Sequence, residues 1–359
     1  MTMKRMTVSP WVEPSFLASA AFDVEPSPGP LTSRLCAPVL PALAKPKSED
    51  RPRVASCDVS KDRAMRWLIL LVALICLAAT PAQPVVQLAA AKQLLPTSAA
   101  CDDVPCLIEH AYRADPKAGD IALTLFRTTG DVAGVGPEEL MDGGFRGMIK
   151  LVPQLPIDRY RKHLLWVADG ALAMDRFFAD SFAGQALPNY RWRVLEFRFV
   201  RSLVKHRPSA YAFGWTIEYN LEGSLNISAK GVRETLFHEL FHLNDEAHGD
   251  WSARHLAKDY RAILDQCGAQ PKLECLTPYA PNDTRVRGGT YYAFQQNNGS
   301  TVHEYAAELA VRYYKEQSEM LARGKLSRRA FKCGPAQNTR AWNALVGEFF
   351  AGRDRTPAC

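Results

Sequence analysis

Several things are missing from this 359-residue chain. None of its nine cysteines stands in a C-x-x-C spacing, which argues against a cysteine-built zinc site. No basic stripe interleaved with aromatics is present, and the formal charge of +6 is spread among acidic residues, so nucleic-acid binding has no support. There is no internal repeat. The longest apolar run, Trp67 to Ala79, is short for a membrane span and is followed at once by Pro81 and Pro84.

Residues 1–64 are rich in Pro, Ser and Ala without a helical or strand period, a composition that cannot bury enough surface to offset the entropy of ordering. They are expected to be a disordered leader or an extension ahead of the true start at Met65. Lys61 to Arg66, the apolar run and the small residues beyond it have the three parts of a secretory signal peptide, assigned to residues 65–82. Cleavage would leave no stable membrane insertion and a secreted or periplasmic protein. With Cys36, Cys57 and Cys76 set aside, six cysteines remain, an even set that suits disulfides in an exported chain. Proximity favours Cys101–Cys106, Cys267–Cys275 and Cys333–Cys359.

The stretch with the most chemistry is Glu234 to Asp245, which contains His238, Glu239 and His242 in H-E-x-x-H spacing. On a helix, residues four apart share a face, so both imidazoles can reach one zinc ion. Glu239 follows the first ligand directly. Its carboxylate can take a proton from a water on that metal and later pass it to a leaving amine. Leu236, Phe237, Leu240, Phe241 and Leu243 mark this helix as buried on most sides. Buried polar side chains in such a setting need a compensating partner.

A catalytic zinc has three protein ligands and one open position. Thr301 to Tyr314 reads as a second buried helix with Glu304 and Glu308 spaced i, i+4. Glu304 is assigned as the third ligand, and Glu308 as the carboxylate that accepts the remaining N–H of a ligand histidine. A rival ligand is His248, ten residues after His238, close to the metzincin spacing. That pattern has Gly where Asp245 stands and a methionine turn downstream. Here the only methionine after His248 is Met320.

The pair His-Glu-Leu-Phe-His-Leu-Asn-Asp and Glu-Tyr-Ala-Ala-Glu-Leu-Ala resembles the gluzincin metallopeptidases related to the anthrax lethal factor catalytic domain. The resemblance covers roughly residues 232–314 and rests on these short motifs. It implies an α+β, zincin-like fold, with a small mixed or antiparallel sheet, an active-site helix and a second ligand-bearing helix. It implies Glu304 as ligand, Glu308 beside it, and a tyrosine near the oxyanion of the transition state. Tyr292-Ala293 matches that tyrosine, about five residues further from Glu304 than the family has it, and Tyr291 is nearly as eligible. By analogy with zincin folds, the strand before the zinc helix aligns an extended peptide.

The rest of the chain supplies the frame. Residues 83–150 read as a mostly helical N-terminal segment, 151–325 as the catalytic domain and 326–359 as a helical extension. Helices are expected at 101–128 with a break at Asp115-Pro116, at 157–182, at 250–266, from 301 towards Arg323, and at 339–350. Strands are expected at Arg193–Val200, Tyr211–Tyr219 and Ser224–Ser228, with loops at Gly130–Gly147 and Cys267–Gly299. The expected function is that of an exported zinc-dependent endopeptidase, monomeric, acting on a peptide or protein. The alternatives are a metzincin-like variant using His248 and a secreted, non-catalytic zinc-binding protein.

Overall fold

The computed structural model describes residues 85–142, 147–203, 208–268, 271–286, 289–295 and 301–359. The assigned leader and signal peptide lie outside these residues. The fold is mixed α+β. No helix among the described residues is long and apolar enough to cross a membrane.

Three short helices open the described chain: α1 (Leu88–Leu94), α2 (Val104–Ala111) and α3 (Pro116–Thr129). The expected break at Asp115-Pro116 is present, because Asp115 caps α3 through its side chain and Pro occupies the first helical position. Gly130, at φ 77°, ends α3.

The described residues of the stretch read as glycine-rich loop include two strands, β1 (Val132–Val135) and β2 (Glu139–Asp142), and β3 (Met148–Pro153) follows it. β1 and β2 have four residues each, too few to show alternation. Gly134 marks a close approach rather than a loop, since a Cβ there would lie 2.3 Å from the carbonyl oxygen of Leu94.

The central strand β4 (Glu196–Ser202) starts later than its apolar pattern suggests, because Val194 has φ 63° and turns the chain before pairing begins. One side of β4 is shared, with β1 parallel to its first half and β3 antiparallel to its second. The stretch 211–219, expected as one strand, is a hairpin of β5 (Ala210–Phe213) and β6 (Thr216–Asn220). Gly214 and Trp215 both have positive φ, as a two-residue primed turn requires. The Arg191 guanidinium covers the Trp215 ring at 4.0 Å.

The sheet order is β2-β3-β4-β6-β5, with β5 at one rim. The Tyr211 hydroxyl on that rim nevertheless donates to Glu139 on β2, so the sheet curls until its outermost strands meet. Ser224–Ser228 is a turn, not a third strand. The Asn226 amide donates to the carbonyls of Ser209 at 2.7 Å and Asn220 at 2.9 Å, folding the segment back on the end of β6.

Helix α4 (Arg161–Phe182) packs against α3 and α5 (Ala229–Ala247) and reaches the sheet through His163, whose Nδ1 lies 3.0 Å from the Tyr219 hydroxyl of β6; α5 lies between α4 and α9 (Thr301–Arg323). The long reading over 250–266 is two helices, α6 (Trp251–His255) and α7 (Ala257–Cys267), parted at Leu256. The following loop contains the single turn α8 (Leu273–Leu276), and α10 (Ala336–Phe349) closes the fold. Phe178 of α4 stacks on Tyr190, while Phe237 of α5 stacks on Tyr314 of α9 at 4.6 Å between centroids. Such pairs stabilise beyond the area they bury. The three disulfides among the described residues are the local ones expected, Cys101–Cys106, Cys267–Cys275 and Cys333–Cys359.

Asp131, between α3 and β1, is fully buried and accepts the Leu195 N–H at 2.7 Å. Burial pushes its carboxyl up to about 7. The unfolded chain gives up this proton near pH 4 and the folded chain near 7. Over that window Asp131 therefore lowers stability as pH rises, by at most about 1.4 kcal/mol per pH unit. Urea midpoints of Asp131→Asn should lack this component. A wild-type-minus-variant difference that stays flat or rises from pH about 4 to about 8 would refute it.

Candidate metal centre

The metal-ligand candidates sit on two helices, α5 and α9. Ser228 caps α5, its Oγ accepting from the Gly231 N–H at 3.1 Å. Leu236, Phe237, Leu240 and Phe241 are buried, which holds the helix rotated so that His238 and His242 face α9. Across from them, Ala306, Ala307 and Ala310 are completely buried, and side chains this small let the two helices approach closely.

His238 Nε2 lies 3.0 Å from Glu304 Oε2 and 3.1 Å from His242 Nε2, and His242 Nε2 lies 3.7 Å from Glu304 Oε2. Ligand atoms at tetrahedral corners about 2 Å from a shared ion are about 3.3 Å apart. The observed spacings bracket that value, so two imidazole nitrogens and a carboxylate oxygen fit a zinc-type ion. These three residues form a group that could hold a metal. A second group of metal-ligand residues, Cys101, Cys106 and His110, has both sulfurs joined to each other in a disulfide.

Around the three candidate ligands, Glu308 Oε1 stands 3.4 Å from His238 Nδ1, on the side of the ring away from Glu304. That is where a carboxylate would fix the tautomer and orientation of a ligand imidazole. Burial works against a charged ring at His238, but its hydrogen bonds to the Glu304 and Glu308 carboxylates more than offset it and hold its pKa well above the ordinary imidazole value. Burial also opposes charge on Glu304, and the two histidines overcome it, keeping this carboxyl well below the usual range. A divalent ion would take the place of the shared proton. Glu239 is buried beside the pair, and desolvation pushes its carboxyl up.

The tyrosines separate. The Tyr291 hydroxyl is 2.9 Å from Thr277 Oγ1, and its ring carries Arg285 at 5.1 Å, so it belongs to the loop. The Tyr292 ring centroid lies 5.6 Å from that of His238, edge-on. His248 lies outside the group of three. Its Nδ1 is 2.7 Å from Glu348 Oε1 and its ring packs on Phe349, so its contacts lie with α10.

Sequence reasoning missed what lies behind the ligands. Asp245 accepts from the backbone N–H of Ser252 at 2.7 Å, from its hydroxyl at 2.6 Å and from His303 Nδ1 at 2.7 Å. An aspartate at a core-facing position of a largely apolar helix was the available signal, because a buried carboxylate requires partners. Compared with known proteins, the chain matches no family model, no curated protein and no solved structure.

Proposed function

We propose that the protein is an exported zinc-dependent endopeptidase with a zincin-type centre. The observation that carries this reading is the meeting of His238, His242 and Glu304 at spacings suited to one ion, with Glu239 buried next to them. When bound, zinc would polarise the scissile carbonyl and lower the pKa of its water towards ~7.

The chain's own groups do the rest. Glu239 accepts the proton of the attacking water and delivers it to the leaving amine. Glu308 fixes the His238 ring through Nδ1. Tyr292, beside that ring, is the group offered to the developing oxyanion. The disulfides are compatible with an extracellular setting.

Metal analysis combined with a casein-type assay tests the reading. One zinc per chain is expected, with hydrolysis abolished by a chelator and restored by added zinc. Zinc without turnover would leave the non-catalytic binding protein. Absence of any bound metal would remove both.

A further inference from the structure

The carboxylate taken as third ligand sits in a vulnerable place. Glu304 belongs to the first turn of α9, and helix ends open more readily than helix interiors. A ligand in a terminal turn keeps its position better when that turn is tied to a neighbouring element.

The residue before it supplies an anchor. His303 is buried, and its Nδ1 reaches Asp245 Oδ2 at 2.7 Å and lies 3.1 Å from Ser252 Oγ. Asp245 is three residues beyond His242 on α5, so this contact joins the two helices that carry the candidate ligands. Ser252, fully buried on α6, donates its backbone N–H to Asp245 Oδ1 and its hydroxyl to Oδ2. Asp245 thus holds three helices at one point. Two adjacent residues of one helical turn face different ways, so His303 can be pinned to α5 while Glu304 points at the histidine pair.

We propose that the Asp245–Ser252–His303 cluster is a positioning device that sets where the Glu304 carboxylate stands, and thereby the metal affinity of the centre. The proposal rests on the zinc reading above. It assigns His303 a role through Glu304, not contact with substrate or metal. Partners behind a ligand typically change affinity by about 10–100-fold.

A double-mutant cycle on the full chain tests it, with zinc affinity measured by chelator competition and folding checked by circular dichroism. His303→Ala should weaken zinc binding about 10–100-fold. His303→Asn, which keeps an N–H donor near the Nδ1 position, should restore most of that loss. In a Glu304→Ala background, where two imidazoles bind zinc more weakly, His303→Ala should cause almost no further loss, because the group it positions is gone. Equal losses in both backgrounds would make the cluster merely structural and overturn the proposal. So would unchanged affinity in His303→Ala. Should His303→Ala fail to fold, Ser252→Ala enters the same cycle with the same criteria. A wild-type chain that binds no zinc would instead defeat the metal reading itself, and the proposal with it.

Discussion

Chains carrying Glu239→Gln are expected to keep zinc at the wild-type stoichiometry and to hydrolyse peptide about 10²–10⁴-fold more slowly. Glutamine has the shape of the carboxylate but cannot accept the proton of an attacking water. Glu239 is buried on α5 and is not one of the three grouped ligand candidates, so replacing it should not disturb them. The loss should fall on kcat with KM nearly unchanged, as for a group that acts in the transition state and not in binding. Steady-state kinetics on a fluorogenic peptide, with metal content measured on the same sample, gives both readouts. Hydrolysis at the wild-type rate would remove Glu239 from the mechanism. Loss of the metal would show that it is a ligand instead.

Glu304→Ala should be the more damaging change for the ion itself. It deletes one of three converging donors, so its cost in zinc affinity should exceed the roughly 10–100-fold attached to partners behind a ligand. Glu308→Ala, which removes only the group 3.4 Å from His238 Nδ1, should fall within that smaller range. The ranking is the test. If Glu308→Ala proved the more costly of the two, the assignment of the two glutamates would have to be exchanged. Hydrolysis should be abolished in Glu304→Ala at zinc concentrations that saturate the wild type.

What could be read without coordinates was whatever a helix period makes local. His238, Glu239 and His242 lie within one turn and a little more, and the apolar residues around them identify the buried face before any packing is known. Glu304 and Glu308 were legible for the same reason, as was each disulfide that closes a short loop. Other features depend on distant partners. β1 is four residues long and is a strand only because β4 lies beside it. Gly214 and Trp215 looked like strand interior, although their positive φ makes them the turn of a hairpin. Ser224–Ser228 alternates well enough for a strand, yet the Asn226 side chain captures two carbonyls that a neighbouring strand would have needed to meet. The Asp245–His303 contact spans 58 residues, beyond the reach of any periodicity.

The disulfides bear on how the chain reaches this state. Their partners are separated by only 5, 8 and 26 residues, so each cysteine's mate is also among its nearest in the nascent polypeptide. Loop closure favours such neighbours in an unstructured chain. Correct pairing can therefore precede assembly of the helices and sheet, leaving little for an isomerase to repair. None of the three covalent links joins α5 to α9, so reductant should leave the seam between them held by packing and polar contacts alone.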